Sequence, residues 1–317
     1  MSSISTRPAS GTQFVIESGD YRAEIASVGA SLRSLTHGGR HLVVPFDAGE
    51  IRPGYRGANL VPWPNRIADG TYTFNGERQQ LSINEVERMT ALHGLAIWND
   101  WEVAAQSPSS VTLGAVIEPQ EGYPHRLAVQ VGYSLSTEGL TWNISALNVG
   151  SGADSKPAPY GVAPHPYLVA GEGTVDEWTL HLPAQQVLAV TADRLLPTTV
   201  ETVDTHRGGY FDFQQARPLG ATEIDHAYTA LTAEEADGEV EVQLLTREGT
   251  GVRMRWTPGN LPWVQIHTAD RPAPHPSRIG LAVEPMSCPP DAFNSGEDLV
   301  VLALGERHSA QWLIGAL

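Results

Sequence analysis

The chain has 317 residues, 41% of them hydrophobic, which is enough for a large buried core in one big domain or two ordinary ones. Its 36 acidic residues outnumber 20 basic ones for a formal net charge of −16, with no Lys/Arg-rich run to offset them, and this balance excludes nucleic acid and anionic membrane as partners. No stretch is long and apolar enough to span a bilayer, the first twenty residues hold no signal-peptide core, and Cys288 is the single cysteine, so a soluble cytoplasmic protein is expected.

Strand signals dominate from the start. Tyr21, Ala23 and Ile25 alternate with polar residues, and Ser34 to Val43 reads as two short strands around Gly38-Gly39. Asn75-Gly76, inside the run Thr71 to Leu81, carries the two-residue hairpin signal, because both central residues of that turn need positive φ. The clearest pattern follows: Leu127, Val129, Val131, Tyr133 and Leu135 alternate strictly, the chain turns at Thr137-Glu138-Gly139, and Leu140, Trp142, Ile144 and Ala146 alternate on the return. Val240 to Leu245 and Val252 to Trp256 form another pair around Glu248-Gly249. Helical periodicity is nearly absent, and 31 Gly and 23 Pro punctuate the short runs, so the expected fold is all-β, a large antiparallel β-sandwich. The most linker-like stretch, Ser151 to Pro157, has similar strand signals on both sides, which favours one domain over 1–317. The acidic run Thr232 to Gly238 reads as a solvated loop.

Four segments place polar or ionisable residues among Pro, Gly and aromatic neighbours: Val61 to Gly70, Ala91 to Trp98, Tyr160 to Leu168 and Ala221 to Tyr228. His165 lies between two prolines that constrain its backbone, and a fixed imidazole suits acid-base work, although a hydrogen-bonded core histidine would satisfy the same pattern. His93, before Gly94, carries the same two readings. Arg66 could fork onto a carboxylate or a ligand hydroxyl, or form a surface salt bridge. Asp225 suits a turn or a ligand acceptor. Gln265 sits in the apolar run Pro262 to His267, where a buried amide must find partners, but ordinary strand alternation would also place it there.

Glu284 ends the apolar run after Arg278. It is a candidate base if buried and a solvent-facing strand end if not. Cys288 reads as a small buried hydrophobe, since no adjacent base would activate it as a nucleophile. His206, His226, His267 and His275 are scattered without metal-ligand spacing, so no catalytic metal is expected. Trp63, Trp98 and Trp101 could serve as apolar platforms in a non-catalytic sugar-binding module. Asp225 and Glu284 could instead be the paired carboxylates of a glycoside hydrolase.

In their order along the chain these segments resemble the aldose 1-epimerase (galactose mutarotase-like) family, in a divergent bacterial-type branch. The resemblance rests on Asn65-Arg66-Ile67 with Gly70 and the Tyr72 to Gly76 hairpin, Leu92-His93-Gly94, His165-Pro166-Tyr167, Asp225, Gln265, and Glu284 followed by Pro290 to Asn294. It implies a β-supersandwich and a cofactor-independent mutarotase for a free monosaccharide. In that role Glu284 would be general base and His165 general acid, while Asn65, Arg66, His93, Asp225 and Gln265 would hold sugar hydroxyls. The chain departs from the family pattern after Leu-His-Gly, where it has Leu95 to Trp101, and in carrying His226 beside Asp225. Both departures lie where the sugar would be gripped. A hexose-6-phosphate epimerase is the alternative within the same chemistry, although the net charge disfavours a phosphorylated substrate.

Overall fold

A computed structural model describes residues 7–150, 156–233 and 238–317. The described chain is built almost wholly of antiparallel β-ladders. A single one-turn α-helix, Ala292–Ser295, and a few short 3₁₀ turns are the helical exceptions among the described residues. No helix among them is long and apolar enough to cross a membrane. Ser151 to Ser155 of the linker-like stretch and Glu234 to Asp237 of the acidic run lie outside the described residues.

Two large sheets form the sandwich. The nine-stranded sheet has at its centre Leu127–Ser136, Gly139–Asn148, Arg307–Ala316 and Gly251–Trp256. The six-stranded sheet runs in the order Tyr167–Leu168, Leu281–Met286, Trp263–His267, Asp225–Leu231, Ala184–Val190 and Pro197–Thr202. The alternation read from sequence sets the central ladder, where Leu135 faces Leu140, Tyr133 faces Trp142 and Val131 faces Ile144. The Thr71–Phe74 and Glu77–Gln80 hairpin turns at Asn75 (φ 51°) and Gly76 (φ 80°), the two positive angles its turn type requires.

One apolar core joins the sheets. Val131, Tyr133, Trp142 and Ile144 from the first pack in the same cluster as Val264, Ile266, Val283 and Tyr228 from the second. Because successive side chains on a strand point to opposite faces, Gln265 and Glu284 must face away from that core. The ladder pairs them directly, Gln265 opposite Glu284, with Asp225 opposite His267 on the next strand. Four polar side chains therefore share the outer face of the six-stranded sheet.

A buried amide ties the short strand Ala58–Leu60, whose Ala58 pairs with His165, to the core. Asn59 is fully buried, donates to the carbonyls of Gly29 (3.1 Å) and Ala30 (2.9 Å), and accepts from Trp142 Nε1 (2.9 Å). Asn59→Leu removes these partners while keeping the volume. It is expected to cost about 3–5 kcal/mol, because the indole N–H and a carbonyl are left buried and unpaired. Urea unfolding measures this, and a loss under about 1 kcal/mol would mean that water replaces the amide.

Candidate active site

The outer face of the six-stranded sheet is closed by two loops held in left-handed backbone. Asn65 (φ 54°) precedes strand Arg66–Ala68, and His93 (φ 67°) follows strand Thr90–Leu92, which pairs with it. Such conformations cost non-glycine residues of order 1 kcal/mol or more, so the surrounding structure must impose them. Here it does: the Asn65 carbonyl accepts the His93 N–H at 2.9 Å, and the Asn65 side-chain oxygen accepts the Arg66 N–H at 2.9 Å. Gly94 is required next, because it has φ 76° and a β-carbon there would lie 2.1 Å from the Val61 carbonyl oxygen.

All seven residues singled out in the sequence are brought together. Glu284 is 2% exposed, which removes the solvent-facing alternative. Its Oε1 lies 3.3 Å from His165 Nε2. The His165 ring stacks on Tyr167 at 5.0 Å and meets His93 edge-on at 5.2 Å, while Tyr55 meets His93 edge-on at 4.6 Å. On the other side, Gln265 Nε2 donates to Asp225 Oδ1 at 2.6 Å, and Arg66 Nη2 approaches Asp225 Oδ2 at 3.7 Å. The Arg66 fork is filled from behind by Glu85, through Nε (2.8 Å) and Nη2 (3.1 Å), and Glu85 also accepts from Thr90 Oγ1 (2.6 Å). This two-point clamp fixes the guanidinium plane, so the surface salt-bridge reading of Arg66 gives way to a buried, oriented one.

Burial governs the electrostatics. It pushes the Glu284 carboxyl well above the ordinary carboxylate range, Asp225 adds to the rise, and Arg66 partly opposes it. Burial likewise lowers the His165 imidazole to about 3, with His267 adding to the drop. It carries His93 well below its usual value. Asp225 goes the other way: burial raises it, but His267, Arg66 and the Gln265 hydrogen bond outweigh burial and keep it ionised. The site thus has one fixed negative acceptor, Asp225, and a Glu284/His165 pair driven toward its uncharged forms. Several buried polar atoms have no hydrogen-bond partner within the protein: His93 Nδ1, His165 Nδ1, Gln265 Oε1, His267 Nδ1 and Glu284 Oε2. Buried polar groups are normally paired, so a concentration of them in one place marks a surface suited to a polyhydroxylated ligand.

The sequence reading missed Tyr55, Glu85 and His267. His267 carried a usable signal, since it lies two residues from Gln265 and so shares its face. Glu85 carried none, because its role exists only through a long-range contact. Two of the proposed tryptophan platforms fail: Trp63 and Trp101 are 3% and 2% exposed, each packed in the core with its indole N–H on a backbone carbonyl. Trp98 is 53% exposed, with the Arg52 guanidinium 4.7 Å from its ring. Cys288 is buried, and burial pushes its thiol up to about 12, so it stays protonated and serves as a small apolar side chain.

The sequence model of the family described as aldose 1-epimerase matches residues 12–314. The chain belongs to the aldose 1-epimerase family. Among curated relatives, the uncharacterized protein YihR of Escherichia coli K12 is 41% identical over 306 residues, covering 96% of this chain and 93% of that protein. The galactose mutarotase of Bos taurus is 27% identical over 229 residues, covering 66% of this chain and 62% of that one. Among solved structures, the GalM/aldose epimerase homologue of C. elegans superposes with a TM-score of 0.82 at 20% identity, over 96% of this chain and 99% of that one. A putative aldose 1-epimerase of E. coli K12 gives 0.80 at 21% identity, with the same coverages. These likenesses establish the galactose mutarotase-like fold for this member of the aldose 1-epimerase family.

Proposed function

We propose that the protein is a cofactor-independent aldose 1-epimerase that interconverts the α and β anomers of a free aldohexose. The observation that carries this reading is the Glu284/His165 pair, a buried carboxyl and a buried imidazole 3.3 Å apart beside the ionised acceptor Asp225. Opening a pyranose hemiacetal needs one group to take the O1 proton and another to protonate O5 as the C1–O5 bond breaks. Glu284 takes the first proton and His165 gives the second. The aldehyde then turns about C1–C2, O5 attacks the opposite face of C1, its proton returns to His165, and Glu284 returns a proton to O1. Both groups end as they began, and no redox or metal step is needed. Asn65, Arg66, His93, Asp225 and Gln265 hold the remaining hydroxyls.

The pKa shifts explain how such a pair can be loaded at neutral pH. Burial favours the uncharged couple, which holds one dissociable proton; the working couple, carboxylate plus imidazolium, holds the same number. Moving one proton across the contact converts the first into the second. Arg66 favours the carboxylate and Asp225 the imidazolium. The pair titrates as a unit, gaining a second proton only near the depressed His165 value of about 3 and losing its single proton only above the raised Glu284 value. The expected kcat/KM profile, corrected for spontaneous mutarotation, is therefore flat from about pH 5 up to the raised Glu284 value. A step centred on the ordinary imidazole value of about 6.5 would contradict the shared-proton account.

The function is tested by NMR exchange between the anomers of glucose, galactose and related hexoses. Acceleration over the buffer rate supports the reading. Saturable sugar binding without acceleration would make the protein a carbohydrate-binding one, and selective inhibition or turnover with hexose 6-phosphates would shift the substrate class.

A further inference from the structure

His165 has fewer polar ties than a proton donor with a fixed aim requires. Its Nε2 meets Glu284 Oε1 at 3.3 Å, but its Nδ1 makes no hydrogen bond to any other described residue. A working imidazole is normally oriented through the nitrogen that does not react, by a carboxylate or a carbonyl of another residue. Without that second tie the ring can turn about its χ2 bond, whose torsional wells are broad. Its orientation must therefore come from ring packing. Tyr167 stacks on it at 5.0 Å with the planes 25° apart, His93 meets it edge-on at 5.2 Å, and Tyr55 lies at 6.2 Å with the planes 28° apart. These separations fall within the range of contacting ring pairs, about 4.5–7 Å. Tyr55 also meets His93 at 4.6 Å, so Tyr55, His93 and His165 form a closed triangle of rings.

Tyr55 reaches this triangle only through disfavoured backbone. It ends the turn Pro53–Tyr55, in which both Gly54 (φ 53°) and Tyr55 (φ 59°) are left-handed. A bulky aromatic residue in that region is a true outlier, because its β-carbon crowds the following carbonyl oxygen. The segment that carries the histidine imposes the turn: Tyr167 Oη donates to the Gly54 carbonyl at 2.9 Å, and the Gly57 N–H donates to the His165 carbonyl at 2.8 Å. Tyr55 is half-buried at the margin of a small apolar cluster, so a need to fill the core does not explain the strain. Strain of this kind persists where the side chain it aims has work to do.

Resting on the epimerase reading, we propose that Tyr55 is a positioning residue for catalysis, whose ring rather than its hydroxyl keeps the His165 imidazole aimed at O5 while the hemiacetal opens and recloses. Its effect falls on turnover, because Asp225, Gln265 and Arg66 grip the sugar without it, whereas a freely turning imidazole leaves fewer bound sugars poised for proton transfer.

The test measures anomer exchange of an accepted hexose by Tyr55→Phe, Tyr55→Leu and Tyr55→Met, the last two both ringless so that one failure to fold does not end the comparison. The expected result is a kcat about tenfold lower in the ringless variants with KM within about twofold, and recovery by Tyr55→Phe to within about twofold of the wild-type kcat. Wild-type turnover without the ring would overturn the proposal. So would a loss that appears in KM, or a Tyr55→Phe enzyme as slow as the ringless pair, which would put the hydroxyl on the sugar. Each of these outcomes leaves the epimerase reading standing. If the wild type exchanges no sugar, that reading fails first, and crystal structures of the Tyr55→Phe and Tyr55→Leu proteins decide the positioning role. An imidazole turned away from Glu284 in the leucine protein alone would keep it, and the 3.3 Å contact retained in both would remove it.

Discussion

Glu284→Gln is expected to lower kcat for anomer exchange by about 10²–10⁴-fold, the range for one positioned base, and to leave the protein folded. The amide keeps the shape of the carboxyl and can still donate toward His165 Nε2, but it cannot take the O1 proton. The thermal midpoint at pH 7 should hold or rise. The sign follows from linkage: the folded-state pKa of Glu284 lies above its unfolded value, so its favourable contribution is complete below the ordinary carboxylate pKa and is lost as pH rises toward the folded one. Above that ordinary value ionisation favours the unfolded chain, where the carboxylate is hydrated, so at pH 7 replacing the group with a neutral amide removes a term that opposes folding. Retention of full activity by polarimetry or NMR exchange would refute the assignment of Glu284 as base.

His165→Gln should lower kcat by a similar factor, about 10²–10⁴-fold, with KM changed much less, because an amide can hydrogen-bond O5 but cannot protonate it. Its effect on stability is opposite in pH sense. The folded-state pKa of His165 is depressed, so the wild type loses stability as pH falls from the ordinary imidazole value toward about 3, where the ring must gain a charge it cannot solvate. The variant should lose less over that window in urea unfolding measured between pH 7 and pH 4. His93 carries a depression of the same sign and keeps its own share of the slope in both proteins. A variant that bound sugar poorly yet turned it over at the wild-type rate would mark His165 as a positioning group only.

The strands that could be read from sequence are those whose own residues decide their geometry. Leu127 to Ala146 alternates because one face meets the core, and Asn75-Gly76 is a hairpin because few other pairs accept two positive φ angles. Gln265 and Glu284 were visible as polar residues in apolar runs. That they face each other was not, since the pairing of strands Trp263–His267 and Leu281–Met286 is set between segments rather than within either. The Arg66 to Glu85 clamp was invisible for the same reason. Trp63 and Trp101 misled because a tryptophan beside a candidate ligand-binding residue looks the same in sequence whether it faces a sugar or fills the core.

The direct register of Gln265 against Glu284 also bears on the fidelity of folding. A slip of one residue in the pairing of these strands would turn Glu284 or Gln265, on whichever strand moved, inward, into the apolar layer now filled by Val264, Ile266 and Val283. Burying a carboxylate or an amide there without partners costs several kcal/mol, a large share of the net stability of an ordinary domain. The same side chains that would handle the sugar thus discriminate against misassembled copies of the sheet, so chains that complete folding carry the base on the correct face.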